Sequence, residues 1–243
     1  SYPPLQPRFP WVGGHLQTLR SFFVGGKPRI GSARSERLIF RMPDGTGDCL
    51  SGMLEQPVEP LPDAPLLVII HGLTGCEDSY LVRDAARHFV AAGLPVLRLN
   101  LRGAGPTRDD CTQSYHAGRT GDLDAVLAQL REAGRADRFV LYGASLGANM
   151  MLKYLGEQTR PHVVAAVSVS APIDLVRSSE RIIQPRNKLY HHWLLKSMKR
   201  EALATPGLSV TESQAVATVR TIFEFDERHV AARNGFEGAR DYY

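Results

Sequence analysis

The sequence predicts an α/β protein built on a mostly parallel, doubly wound sheet. Continuous aliphatic runs, "APLLVIIHG" (64–72) and "HVVAAVSVSAP" (162–172), have the length and composition of strands buried on both faces. Between them, strand-like runs alternate with amphipathic stretches of helical length, the pattern of a parallel sheet with crossover helices. Near the N-terminus two strand-like runs follow each other with no helix between them, which predicts an antiparallel edge.

The elements follow in order. Residues 1–34 are rich in Pro and Gly and are expected to run over the surface. "RLIFRM" (37–42) and "CLSGMLEQ" (49–56) read as a hairpin turned through Pro43-Asp44-Gly45. After the strand at 64–72, "SYLVRDAARHFVAAG" (79–93) has helical spacing and a stop at Gly93. A strand (94–101), a helix (121–134), a strand (138–143), a helix (146–158) and the strand at 162–172 come next. Past Pro172 the alternation breaks. Residues 173–233 read as helical segments with one strand-like run, "VRTIFEF" (219–225), an insertion over the sheet. The expected division is therefore a core (1–172), a cap (173–233) and the start of a return to the core (234–243). A sheet ending at residues 162–172 would leave an apolar edge.

Bulk properties bound the function. The chain has 243 residues with a net charge of +4. That balance is far from a nucleic-acid footprint, and no apolar run reaches the roughly 18 residues of a membrane span. No secretory signal layout opens the sequence, and a cytoplasmic setting is expected. Cys49, Cys76 and Cys111 are widely spaced and read as free thiols. His191 and His192 are adjacent, so on a helix they diverge by about 100° and make a poor metal pair. Neither a metal nor a cofactor is expected.

The chemistry centres on Gly143-Ala144-Ser145-Leu146-Gly147. A G-x-S-x-G pattern arises by accident in roughly one chain of this length in ten, so its setting decides. Here it joins a buried strand to an amphipathic helix, the context of a nucleophile on a sharp strand-to-helix turn. Such a turn lifts the Ser145 hydroxyl clear of the sheet. Close passage of neighbouring chain requires residues 143 and 147 to lack side chains. The helix from Leu146 aims free N–H groups at the site. "IIHGLTG" (69–75) follows an earlier buried strand, so the amides of Leu73 and Leu146 are the candidate oxyanion donors. His71 and His116 read as structural, and Asp122 and Asp124 as acids placed at a helix start.

These residues resemble a known family. "GASLGANMMLKYLGE" is similar to the nucleophile region of the α/β-hydrolases grouped with bacterial YheT-type esterases, plant EMB8-like proteins and animal phospholipase-like relatives. The resemblance extends to "HLQTL" (15–19), "HGLTG" (71–75), "NLRGAG" (100–105), "SYHAGRTGDL" (114–123), "AVSVSAPIDL" (166–175), "FEFDERHVAARNGF" (223–236) and "DYY" (241–243). It implies an α/β-hydrolase fold and hydrolysis of short- or medium-chain acyl esters or lipid-like esters, with Ser, acid and His in that chain order. Nothing after residue 172 reads as the strands that would carry the last two. The acid and base are therefore expected beyond Tyr243, and residues 1–243 alone are expected to be inactive. Asp226 and His229, three residues apart in the cap, are rejected as substitutes.

Residues 181–200, "RIIQPRNKLYHHWLLKSMKR", hold six Lys or Arg and no acid. On a helix Tyr190, Trp193, Leu194 and Met198 would share one face, with Lys188, Lys196, Lys199 and Arg200 mostly elsewhere. A lid packed on the domain is one reading; peripheral contact with lipid headgroups is the sharper one. Three functional readings stay open: a serine esterase, a thioester or amide hydrolase on the same scaffold, and a non-catalytic binding protein.

Overall fold

A computed structural model describes residues 6, 7, 9–14, 16, 17, 20 and 26–243. His15, Thr18 and Leu19 of the "HLQTL" stretch lie outside them. Six strands form one sheet in the order β1-β2-β4-β3-β5-β6: β1 (Ser32–Arg41), β2 (Cys49–Pro57), β3 (Leu66–Ile70), β4 (Val96–Asn100), β5 (Phe139–Ala144) and β6 (Val163–Val169). Strands β4, β3, β5 and β6 run parallel, while β1 and β2 form the expected antiparallel edge.

Alternation along β3 shows why the aliphatic run is continuous. Leu66, Val68 and Ile70 enter a core shared with α2 (Thr120–Glu132) and α3 (Leu146–Glu157). Leu67 and Ile69 point the other way, against Val82, Ala86 and Val90 of α1 (Tyr80–Ala91). Both faces are covered, so each position contributes roughly 1.5–3 kcal/mol of burial. Helix α1 stops where expected: Gly93 takes φ +87°, and a Cβ there would lie 2.9 Å from the Glu59 carbonyl oxygen.

The loops at the strand ends are tied by buried charge. Arg102, almost fully buried, pairs with Asp48 at 3.0 Å and with Asp122 through two bonds of 2.9 and 2.6 Å. Asp122 does stand in the first turn of α2, but a helix-start role was incomplete: it holds the 102 loop against that helix. Asp124 accepts from Tyr154 and Arg160.

Beyond β6 come α4 (Leu175–Ile182), α5 (Lys188–Leu203), α6 (Val210–Thr218) and α7 (Ile222–Phe225). A π-helical turn (Asp226–Ala231), α8 (Ala232–Asn234) and α9 (Ala239–Tyr242) end the chain. Leu195, Met198 and Ala202 of α5 pack with Val216, Val219, Ile222 and Phe225 into a small second core.

Two expectations fail here. Residues 219–225 are not a strand: Thr221 caps α7 by accepting from the Glu224 N–H at 3.0 Å, and the Glu224 carboxylate accepts from Arg220 N–H at 2.7 Å. That is a T-x-x-E capping pattern set within a β-branched run. On α5 the buried face includes Leu195 and Met198, with Leu194 partly buried, whereas Trp193 is 52% exposed. The apolar edge at β6 is present, with Val164 and Val167 exposed.

Candidate active site

Ser145 follows β5 directly and precedes α3. Its φ is +51° and ψ −122°, a strained conformation for a residue with a side chain. The turn is pinned by its own backbone: Ser145 N–H donates to Val169 O at 2.9 Å, and Ser145 O accepts from Ala148 N–H at 2.9 Å. A Cβ on Gly143 would lie 2.5 Å from the Ala148 Cα, and one on Gly147 would strike the His71 carbonyl oxygen. Both glycines are therefore required by close approach, as their spacing suggested.

Serine before a helix most often caps it by accepting from the first-turn N–H groups. Ser145 makes no such bond. The positive φ turns its hydroxyl away from the helix, and the residue stays exposed at one wall of a cavity of about 260 Å³. Leu73 and Leu146 line the same cavity. Among the described residues neither of their N–H groups meets a hydrogen-bond acceptor. Gly72 brings the Leu73 turn close, since a Cβ there would lie 3.0 Å from the Ser145 Cβ.

The Leu73 turn is held from beneath by His71, which is fully buried. Its Nε2 accepts from Leu101 N–H at 3.1 Å, so Nδ1 carries the proton and donates to Gly72 O at 2.8 Å. Burial lowers its pKa to about 4. A neutral imidazole with both nitrogens engaged has no free lone pair to take the Ser145 proton, which makes His71 structural. Gly72 O also accepts from Gly75 N–H at 3.0 Å, closing the turn.

His116 and His229 also line the cavity. His116 accepts from Gly118 N–H at Nδ1 (3.1 Å) and is wedged edge-on by Phe236 and Tyr242. Burial lowers its pKa to about 4. His229 is buried in the π-helical turn beside Phe225, and burial lowers its pKa to about 4 as well. Asp226 accepts from Tyr243 O–H at 2.6 Å, and burial raises its pKa to about 7. Among the described residues no hydrogen bond joins Asp226 to His229, so the two do not form an acid–base dyad.

Three residues near the site escaped sequence reasoning. Tyr115 donates to the cap residue Glu201 at 3.4 Å and accepts from Thr74 N–H at 2.7 Å. Arg108 meets the same Glu201 at 3.6 Å. The Ser114-Tyr115-His116 stretch carried the available signal, but only the fold brings it to the 72–75 turn.

Leu175, Ile182, Leu194, Met198, Ile222 and Phe225 make much of the remaining wall apolar, with Ser178, Ser179 and Thr205 among the polar groups beside them. The arrangement gives an uncapped hydroxyl, two unengaged main-chain amides and an apolar recess in one cavity. No described helix is long and apolar enough to cross a membrane.

Comparison with known proteins supports the fold. Residues 65–221 match the family model described as alpha/beta hydrolase fold. A Saccharomyces cerevisiae monoacylglycerol lipase is 30% identical over 74% of this chain and 42% of its own length. The YheT protein of Escherichia coli is 32% identical over 74% of this chain and 54% of its own. The Picea glauca embryogenesis-associated protein EMB8 is 28% identical over 97% and 54%. The chain thus spans about half the length of these relatives. A Pyrococcus furiosus esterase shares the fold at a TM-score of 0.55, with 20% identity over 73% of this chain and 72% of that one. With the matched model covering well over half of the residues, the chain belongs to the α/β-hydrolase family.

Proposed function

We propose that this chain carries the nucleophile, oxyanion site and acyl recess of a serine ester hydrolase. The observation that carries the reading is Ser145: a serine at a helix start that leaves the helix uncapped and turns its hydroxyl into an apolar cavity. Its Oγ attacks the ester carbonyl carbon while a general base takes the hydroxyl proton. The carbonyl electron pair moves onto oxygen, where the Leu73 and Leu146 amides stabilise it by about 3 kcal/mol per donor. Collapse expels the alcohol, protonated by the same base, and water then cleaves the acyl-enzyme. His71 and His116 have ring nitrogens engaged with main-chain groups, and His229 is buried against Phe225 with no bond to an acid among the described residues, so the Asp and His that activate Ser145 are assigned to residues beyond Tyr243. The exposed edge of β6 offers the place for further strands.

The recess suits an acyl chain. The cavity of about 260 Å³ is lined largely by apolar side chains, which favours a hydrocarbon chain over a polar group. Relatives named for monoacylglycerol lipase and for medium-chain fatty acid ethyl ester synthase/esterase activity support the same substrate class. A second element of the proposal is peripheral lipid contact through α5. Leu189 is 85% exposed beside Trp193, Lys188 and Lys196, a mixture of apolar and basic groups suited to a headgroup boundary.

The test is turnover of p-nitrophenyl acetate, octanoate and palmitate by the full-length gene product and its Ser145→Ala variant. The octanoate is expected to be preferred, and the variant to lose at least about a thousandfold in kcat. Undiminished turnover by Ser145→Ala would refute the assignment.

A further inference from the structure

The turn that carries the Leu73 amide is held from two sides. The core side is His71, as described. On the other side the next residue, Thr74, has φ +57°, a left-handed backbone for a β-branched residue, and such a conformation persists only when its surroundings hold it. What holds it is Tyr115, whose hydroxyl accepts the Thr74 N–H at 2.7 Å. The tyrosine ring stands edge-on against His71, with centroids 5.4 Å apart. Its hydroxyl proton goes to Glu201 Oε2 at 3.4 Å, and Glu201 belongs to cap helix α5. Arg108 fixes that carboxylate from the core, at 3.6 Å from Oε1, with a second bond of 3.4 Å to the Glu201 carbonyl oxygen.

We infer that Tyr115 is a positioning residue for the oxyanion turn, and that Glu201 makes the seating of the cap part of the same support. The inference rests on the ester-hydrolase reading. Tyr115 touches neither the attacking hydroxyl nor the oxyanion; it acts through Thr74 on the direction of the neighbouring Leu73 N–H. A donor misdirected in this way weakens the transition state and leaves ground-state binding alone. Removal of the Tyr115 hydroxyl therefore lowers kcat with KM unchanged. A passive wall residue would do the reverse, changing KM through the shape of the recess.

The experiment uses the full-length protein and compares wild type, Tyr115→Phe, Glu201→Gln, Glu201→Ala and Ser145→Ala. It measures kcat and KM on p-nitrophenyl octanoate, the Ki of an alkyl trifluoromethyl ketone and the melting temperature. The ketone adds to the serine and forms an oxyanion, so its affinity reports the oxyanion site. Tyr115→Phe is expected to lose about tenfold or more in kcat and by a similar factor in ketone affinity, at constant KM. Glu201→Ala is expected to lose a few-fold in both, and Glu201→Gln, which keeps an acceptor, to recover most of that loss. A folded Tyr115→Phe with unchanged kcat and ketone affinity, or with only KM raised, would overturn the inference. Should Tyr115→Phe not fold, the two Glu201 variants decide: equal and unimpaired catalysis in both overturns it. Wild-type turnover independent of Ser145 would instead overturn the hydrolase reading, and this inference with it.

Discussion

Gly143 and Ser145 set the local geometry on which the site depends. The serine can adopt a positive φ because the glycines at 143 and 147 let the chain fold back against α3 and β3. A methyl group at residue 143 would meet main-chain atoms of Ala148 at 2.5 Å, and backbone cannot move aside as a flexible side chain can. Gly143→Ala is therefore expected to destabilise the protein by about 1–3 kcal/mol and to abolish labelling by a fluorophosphonate. Urea unfolding together with labelling rates checks both; a fully stable, fully reactive variant would show that the turn has room to spare. At this scale the sequence was informative, because the chemistry of a G-x-S-x-G turn is local. Tyr115 was not legible: its value lies in a bond to Thr74, 41 positions earlier, and nothing in "SYHAG" announces that partner.

At the scale of elements, strands and helices of the core were readable because burial on two faces leaves an unmistakable aliphatic run, as in β3. The cap was less so. Residues 219–225 carry a β-branched, aromatic composition, yet Thr221 and Glu224 close a capping pair that commits them to helix. On α5 a helical wheel grouped Trp193 with Met198, but the small core beneath α5 takes Leu195 and leaves Trp193 outward. That rotation sharpens the lipid-contact proposal. Lys199 is already engaged, donating to Ala217 O at 2.8 Å, so Lys188, Lys196 and Arg200 are the charges to change. Their reversal to Glu is expected to weaken binding to anionic vesicles by about 1 kcal/mol per charge, measured by sedimentation with phosphatidylserine liposomes. Binding indifferent to vesicle charge would leave α5 as a lid alone.

Across the whole molecule, the buried histidines couple stability to acidity. His71, His116 and His229 have folded pKa values of about 4 against an ordinary 6.5, each through burial of the ring. Between those limits the unfolded chain binds protons that the folded one refuses, so stability is lost as pH falls from about 6.5 towards 4. Asp226, raised to about 7 by burial, acts in the opposite sense, since the folded protein holds its proton where the unfolded chain has released it. Glu201, also raised by burial, acts with Asp226, while His162 and His191, lowered by burial, act with the three histidines. The histidines outnumber the acids, and each proton taken up on unfolding contributes up to about 1.4 kcal/mol per pH unit. The urea midpoint is expected to drop steadily between pH 6.5 and 4.5; a flat midpoint would show that these rings are more exposed in the folded state. The hydrophobic pattern disclosed which strands exist, but not this buried polar interior, because a histidine in sequence looks the same whether it is a base or a brace.

The most direct measurement is to treat the full-length protein with a fluorophosphonate and map the modified residue by peptide mass spectrometry. One phosphonyl group per chain, bonded to the Ser145 oxygen, is the expected result. Modification at another residue, or none in a folded protein, would contradict the assignment of Ser145 as nucleophile.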